Sequence, residues 1–266
     1  MSLTKAYLIH KQLGGKIINY AGYLLPMSYQ NTRFTNMNLH NNQNKSRIYE
    51  PANIKGGVIT ETLNTRDNNK CSLFDVSHMG QYRIYGKDRK YFLDNLVASD
   101  ILNLAENKSV LSVFTNNSGG IMDDIIITNQ GEYINLVCNA SNKIKIQSYL
   151  ENCSEGDVNI NYNNERQLYA LQGPQSLKVL KTILKDYHIN DTILNNINNA
   201  KFMTHIPITI NNKQCDIYFQ GYTGEKGVEI SIPDNMAESF FSNLLEKDNV
   251  YLAGLGSRDI LRLEAG

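Results

Sequence analysis

The sequence of 266 residues has no tryptophan, only four cysteines and no net charge, because 26 basic side chains balance 26 acidic ones. A balanced surface creates no long-range field that would attract nucleic acid or an anionic membrane. No apolar run approaches the roughly 18 residues of a membrane helix, and no apolar core with a cleavage site marks a secretory signal. We therefore expect a soluble globular protein that has neither nucleic acid nor a membrane as partner.

The sequence also lacks the common motifs of metal and nucleotide sites. Its cysteines are scattered without C-x-x-C spacing, which predicts ordinary thiols in a reducing compartment. His78 has no His, Cys or carboxylate at metal-ligand spacing, so no metal is expected. No predicted strand leads into G-x-G-x-x-G or G-x-x-x-x-G-K-[ST], and neither G-x-S-x-G nor a Cys/His signature is present. Dinucleotide, P-loop and nucleophilic-triad chemistry are therefore not expected.

What the sequence does contain is a mixture of strand-like and helix-like segments without a regular βαβ rhythm. Alternating apolar residues predict strands over 81–85, 110–115, 121–128, 133–138, 167–171, 206–210, 215–219 and 228–232. Helical spacing predicts helices over 2–13, 88–96 and 141–150, from 174, and over 236–244, with Ser141 as one N-cap. Asn211-Asn212 is typical of a hairpin turn. The pattern favours the α+β class, with mainly antiparallel sheets and packed helices.

The length corresponds to one large domain or to two ordinary domains of roughly 100 to 200 residues. We expect residues 1–74 to form the N-terminal part of the first domain, 75–152 a second α+β unit, and 153–266 the remainder of the core. Residues 31–70 are rich in Asn, Thr, Lys and Arg and poor in periodic apolar residues. This composition predicts an Asn-rich, disordered or loosely ordered surface insertion.

The strongest chemical signal is the pair Asp123-Asp124, because aspartate is disfavoured inside a strand. Neighbouring strand residues point to opposite faces, so the two carboxylates cannot share a face. At least one of them is expected beside apolar surface, where it needs a hydrogen-bonding partner or a cationic ligand. The alternative is that both merely bind turn amides where the strand begins.

Two further clusters combine glycine with charge. Within 221–230, three glycines permit close backbone approach, and Glu229 lies on a predicted strand, where it points into a cleft or into water. Near the end of the chain, Ser257 is expected to cap a helix on which Asp259 and Arg262 form a surface ion pair. Neither cluster by itself identifies a reaction.

Together, eight segments in this order resemble the T-protein of the glycine cleavage system, the folate-dependent aminomethyltransferase family. The segments are 8–16, 20–26, 73–80, 119–124, 137–140, 170–174, 221–225 and the helix that carries Arg258. The resemblance implies the first two domains of a three-domain fold, tetrahydrofolate as co-substrate, no metal, and the lipoylated H-protein as partner. The implied reaction transfers the methylene of an aminomethyl-lipoyl group to tetrahydrofolate and releases ammonia.

The resemblance also implies roles for individual residues. Asp124, the second Asp of the G-G-x-x-D-D segment, is the implied catalytic residue beside the reacting folate nitrogen, where a carboxylate can orient an amine and accept its proton. Glu229 is implied to bind the amino-pyrimidinone edge of the pterin through two hydrogen bonds. The other implied folate-binding residues are Met79, Asn139, Tyr222 and Arg258.

Three positions depart from the family pattern. Leu111 stands in place of a usual tyrosine, Gln220 in place of an arginine just before the G-Y-T-G turn, and Phe202 near another usual tyrosine. Because the sequence ends at Gly266, we also expect the family's C-terminal β-rich domain to be absent, tetrahydrofolate to bind weakly and coupled turnover by this chain to be negligible. A folate-binding protein without turnover and a folate-dependent demethylase relative remain the alternatives. The resemblance implies a mitochondrial location, with a bacterial cytoplasm as alternative.

Overall fold

A computed structural model describes residues 1–36, 49–51 and 55–266, with the backbone alone described for 34–36 and 49–51. The elements in chain order are β1 (Ser2–Leu3), α1 (Tyr7–Gln12), β2 (Gly15–Tyr20), β3 (Tyr23–Tyr29), β4 (Phe34–Asn36), β5 (Tyr49–Pro51), α2 (Val58–Arg66), β6 (Cys71–Asp75), β7 (Gly80–Tyr85), α3 (Arg89–Asp94), β8 (Lys108–Thr115), β9 (Ile121–Asn129), β10 (Ile134–Cys138), α4 (Lys143–Asn152), β11 (Asn159–Tyr162), β12 (Arg166–Gln172), α5 (Ser176–Asp186), α6 (Asp191–Asn199), β13 (Thr204–Ile210), β14 (Lys213–Phe219), β15 (Gly227–Pro233), α7 (Asp234–Leu245), β16 (Val250–Leu252) and α8 (Leu255–Ala265). They form two compact units. The first unit comprises residues 1–77, 167–200 and 207–266, and the second unit comprises 78–166 and 201–206.

The second unit is built on antiparallel strands in the order β11-β7-β10-β9-β8. Alternate residues of these strands, such as Ile84, Leu136 and Ile127, point to one face and are fully buried. Ile146 and Leu150 of α4 pack against this face, since they lie on one side of the helix. Burying each of these side chains contributes roughly 1.5 to 3 kcal/mol. A continuous apolar core therefore fixes the register of β9, the strand that carries the aspartate pair.

The first unit contains strands in the order β13-β14-β15-β12-β6-β16 and a small sheet in the order β1-β3-β2. The β14–β15 and β12–β6 pairs are antiparallel, whereas β16 runs parallel to β6. The α+β class with mainly antiparallel sheets is thus confirmed. The hairpin at Asn211-Asn212 is confirmed as well, because both residues have the positive φ angles, 49° and 61°, that a two-residue turn of this kind requires.

A buried polar chain links three elements of the first unit. The hydroxyl of Tyr29 lies 2.8 Å from Nδ1 of His10, and Nε2 of His10 lies 2.9 Å from Oδ2 of Asp75. Burial alone would raise the pKa of the Asp75 carboxyl, but its hydrogen bond and charge interaction with His10 hold the pKa below its ordinary value. The ionised carboxylate therefore stabilises the folded first unit.

The interpretation of 31–70 as an irregular insertion is wrong for its last part. Helix α2 lies there, and the side chains of Glu61 and Thr65 are fully buried. Glu61 accepts hydrogen bonds from the main-chain N–H groups of Tyr29, at 2.6 Å, and Gly254, at 2.8 Å. Because this helix is anchored by polar groups, it has no apolar period for sequence analysis to detect. Residues 37–48 and 52–54 lie outside the described residues.

Three helix starts also differ from the prediction. The expected helix over 2–13 is shorter, because Ser2–Leu3 forms β1 and pairs with β3, and only Tyr7–Gln12 is helical. Ser257 does not cap α8: Gly254 holds that position, and Ser257 donates from Oγ to the Gly254 carbonyl within the first turn. Likewise, Asn142 rather than Ser141 precedes α4.

No helix among the described residues is long and apolar enough to span a membrane.

Candidate active site

The aspartate pair lies near the start of β9 in the second unit, with its side chains on opposite faces. Asp123 is 4% exposed and lies on the core face with Ile125 and Ile127, whereas Asp124 is exposed. The expectation that one carboxylate lies beside apolar surface is therefore confirmed. The two acids have different surroundings although they are adjacent in sequence.

Both carboxylate oxygens of Asp123 accept hydrogen bonds from amide groups. Its Oδ2 accepts a hydrogen bond from the main-chain N–H of Asn139 at 3.0 Å. Its Oδ1 accepts from the side-chain amides of Asn139, at 2.9 Å, and Asn142, at 2.7 Å. Three donors stabilise a buried carboxylate and attach the segment between β10 and α4 to β9. Asp123 therefore has a structural task.

Asp124 is held by one of the same amides. Cys138 pairs with Ile125 across β10 and β9, so the following residue, Asn139, lies beside Asp124. Nδ2 of Asn139 donates to Oδ1 of Asp124 at 2.6 Å and approaches its carbonyl oxygen at 3.3 Å. No described residue donates a hydrogen bond to Oδ2 of Asp124. The carboxylate is thus oriented by one amide and keeps an oxygen that can accept a proton.

Met79 lies at the same end of these strands. Gly80 pairs with Cys138 at the start of β7, and the half-buried Met79 immediately precedes it. A Cβ atom on Gly80 would lie 2.7 Å from Sγ of Cys138 and 2.9 Å from Cβ of Lys143, so only glycine fits. The second unit therefore brings together three of the predicted site residues: Met79, Asp124 and Asn139.

In the first unit, the loop between β14 and β15 closes around one glutamine. Nε2 of the buried Gln172 donates to the carbonyl oxygens of Gln220 and Val228, each at 3.1 Å, and its Oε1 accepts from Thr223 at 3.0 Å. A Cβ atom on Gly221 would overlap this side chain. The G-Y-T-G segment is consequently shaped by a residue of β12, about 50 positions earlier.

Glu229 points inward from β15 and is 6% exposed. Of the two orientations that the sequence allowed, into a cleft or into water, the second is therefore wrong. Nε2 of Gln220, which is 3% exposed, donates to Oε2 of Glu229 at 2.7 Å. Oε1 of Gln220 is buried and has no hydrogen-bond partner among the described residues. The two side chains form a buried pair in which one amide orients the carboxylate.

Arg258, on the first turns of α8, lies close to Tyr222. Its Cζ is 4.5 Å from the centroid of the Tyr222 ring, and that of Arg262 is 5.8 Å away. Burial lowers the pKa of the Arg258 guanidinium, while the nearby Glu229 carboxylate opposes this shift. Nη1 of Arg258 is buried and has no hydrogen-bond partner among the described residues. The expected surface ion pair of Asp259 and Arg262 is confirmed, with an N–O distance of 2.8 Å.

The six predicted site residues thus divide between the units, with Tyr222, Glu229 and Arg258 in the first. Sequence analysis missed Asn142 and gave Gln172 no role. The signal for Asn142 was its spacing of three residues from Asn139, which places both amides at the start of α4. Leu111 and Phe202, two of the positions expected to depart from the family pattern, are 62% and 73% exposed.

The described residues contain no group of three or more His, Cys, Asp or Glu side chains that could hold a metal ion. All four cysteines are free. Burial raises the pKa of the Cys71 and Cys138 thiols to about 12, so neither provides a thiolate nucleophile at neutral pH. The chemistry of the site rests on carboxylates, amides and one guanidinium.

Comparison with known proteins assigns the chain to a family. The GCVT N-terminal domain family matches residues 6–266, and the chain belongs to it. The mitochondrial aminomethyltransferase of Dictyostelium discoideum is 38% identical over 97% of this chain and 59% of its own length. That of Pisum sativum is 35% identical over 99% of this chain and 58% of its own length.

A solved structure is similar over the whole chain. The crystal structure of glycine cleavage system aminomethyltransferase T from Bartonella henselae has a TM-score of 0.79 and 31% identity, and the match covers 100% of this chain and 63% of that one. The resemblance to the T-protein family is therefore confirmed. The chain spans about three fifths of the length of these relatives.

Proposed function

We propose that this chain carries the catalytic and folate-binding residues of an aminomethyltransferase of the glycine cleavage system. The methylene of an aminomethyl group on the lipoyl arm of H-protein is transferred to tetrahydrofolate, and ammonia is released. Family membership and the names of the relatives support this reaction. The names of the curated relatives also support a mitochondrial location.

The observation that carries the proposal is the exposed Asp124 carboxylate, held in one orientation by Asn139. An aspartate inside a strand requires a reason, and Asp123 alone provides the structural attachment. Asp124 contributes little to that attachment, so its position favours a chemical role. A fixed carboxylate with one oxygen available can orient an amine and accept its proton while a new C–N bond forms.

The first unit has groups that fit a pterin. Its amino-pyrimidinone edge carries adjacent N–H donors and a carbonyl oxygen. Glu229 supplies carboxylate acceptors, and the unpaired Nη1 of Arg258 supplies a donor. Tyr222, 42% exposed beside Arg258, offers an aromatic edge or face for packing. When bound, tetrahydrofolate supplies the amine nitrogen that accepts the one-carbon unit.

Release of ammonia from aminomethyl-lipoyl H-protein, measured with and without tetrahydrofolate, tests the proposal directly. We expect Asp124→Asn to lower the folate-dependent rate by on the order of a hundredfold. Asp100→Asn is the matched control, because Asp100 is an exposed aspartate of the same unit that also accepts from a nearby asparagine amide, at 2.8 Å from Asn103. Equal rates for the two variants would remove Asp124 from the mechanism.

One alternative has its own structural support. Leu111 and Phe202 expose apolar side chains, Leu111 where the resemblance implies a tyrosine and Phe202 near another implied tyrosine. A protein that binds tetrahydrofolate without turnover would tolerate these losses of hydroxyl groups. Calorimetric binding of tetrahydrofolate without any ammonia release from aminomethyl-lipoyl H-protein would favour this binding function over the transferase.

A further inference from the structure

Gln220 carries a hydrogen-bonding group that the fold leaves unused. Its main-chain carbonyl is bound by Gln172, and its Nε2 donates to Glu229 at 2.7 Å. Its Oε1 is buried and has no hydrogen-bond partner among the described residues. The side chain is only 3% exposed. Its NH2 group is therefore held in place, whereas its amide oxygen remains as an unused acceptor.

An unpaired buried acceptor is costly. Leaving an amide oxygen without a donor destabilises the fold, and most buried polar groups in native proteins are paired. The bond from Nε2 to Glu229 accounts for the donor half of the amide, but no described residue uses its oxygen. A ligand that donates a hydrogen bond to this oxygen would remove the cost of burying it unpaired.

The neighbouring groups define the ligand chemistry. Glu229 presents carboxylate oxygens beside Gln220, and the buried Nη1 of Arg258 is an unpaired donor that interacts electrostatically with Glu229. The set therefore offers acceptors from two side chains and one donor. A 2-amino-4-oxo pyrimidine edge is complementary, because its amino group has two hydrogens and its ring offers an N–H and a carbonyl oxygen.

We propose that Gln220 is a specificity-determining residue whose Oε1 accepts a hydrogen bond from the 2-amino group of the pterin, while Glu229 accepts from the remaining N–H groups of the same edge. This inference rests on the proposed function, since it names a further contact of the same folate. It gives a role to the amide oxygen that the described residues leave unpaired.

Gln220→Met removes the amide while keeping the volume. Calorimetric titration of the 266-residue chain compares tetrahydrofolate with its 2-desamino-2-methyl analogue, which lacks the donor assigned to Gln220. We expect the variant to bind tetrahydrofolate about tenfold more weakly and the analogue within about threefold of the wild type. Gln220→Asn, which withdraws the amide by one methylene, should show the same preference and provides a second variant if the first does not fold.

Gln167→Met is the matched control, because Gln167 is a buried glutamine of the first unit that donates to Asp234 at 2.8 Å. It should leave the ratio of the two affinities unchanged. If the wild type binds tetrahydrofolate but Gln220→Met weakens both ligands equally, or neither, the acceptor role is overturned and the proposed function stands. If the wild type binds neither ligand, the proposed function fails and this inference fails with it.

Discussion

Adjacent aspartates on β9 should separate stability from chemistry. Asp123 is buried under three amide donors, whereas Asp124 is exposed and accepts from one side chain. Replacing each by asparagine keeps the size and removes one acceptor oxygen. The two variants should therefore fail in different ways, although they are neighbours in the sequence.

The cost of Asp123→Asn follows from its partners. The new NH2 group must face either the main-chain N–H of Asn139 or the amides of Asn139 and Asn142, so at least one donor meets another donor. A hydrogen bond to a charged group contributes about 1.5 to 3 kcal/mol, and losing one sets the scale of the destabilisation. A neutral side chain is easier to bury, which offsets part of this cost.

Asp124→Asn should cost much less. Its side chain is in water, and its Oδ1 can still accept from Asn139, so the free energy of unfolding should change by about 0.5 kcal/mol or less. The carboxylate that accepts a proton is nevertheless lost. We expect the folate-dependent release of ammonia to fall by on the order of a hundredfold.

Urea unfolding followed by circular dichroism gives the stabilities, and ammonia release from aminomethyl-lipoyl H-protein gives the rates. Asp100→Asn reports what a lost surface carboxylate does by itself. The reasoning is refuted if Asp124→Asn destabilises the chain as much as Asp123→Asn does. It is equally refuted if Asp123→Asn, assayed at a temperature where it is folded, loses more activity than Asp124→Asn.

Three further variants probe the first unit. Glu229→Gln should weaken tetrahydrofolate binding by roughly 1 to 3 kcal/mol, because an amide offers one acceptor where a carboxylate offers two; unchanged affinity in calorimetry would remove it from the site. Gly221→Ala should destabilise the fold by about 1 to 3 kcal/mol through overlap with Gln172, and by less when Gln172 is also alanine, which a double-mutant cycle measures. Because its interaction with His10 holds the pKa of Asp75 below its ordinary value, the stabilisation from Asp75 is complete above about pH 5 and is lost as the pH falls through the lowered pKa. The difference in unfolding free energy between wild type and Asp75→Asn should therefore narrow from about pH 5 towards pH 2, and a constant difference would show that ionisation of Asp75 is not involved.

Elements with an apolar period could be predicted from the sequence. The strands that became β7 to β10 were recognised because alternate residues such as Ile125 and Ile127 face a core. Helix α7 was recognised for the same reason, since Met236, Phe240 and Leu244 are all buried. In both cases the hydrophobic effect buries apolar residues at the regular spacing of a strand or a helix, and this spacing is visible in the sequence.

Elements fixed by polar contacts could not be predicted in this way. Helix α2 buries Glu61, whose partners are main-chain groups of Tyr29 and Gly254, 32 and 193 residues away along the chain. No local pattern records such a contact. The aspartate pair was visible because its residue type conflicts with a strand, but the identity of its donors depended on the β9–β10 register.

Two segments that are far apart in the sequence, 170–174 and 221–225, depend on each other in the fold. Gln172, in segment 170–174, occupies the space beside Gly221. Its amide forms hydrogen bonds with Gln220 and Thr223 in the loop that carries Tyr222. Neither the glutamine of the first segment nor the glycine of the second can be explained from its own segment. Placed together, they show that the glycine is required because another side chain needs the volume of its missing Cβ. The loop is therefore shaped before any ligand arrives, and Gln220 and Glu229, which flank it, are presented as a prepared pair.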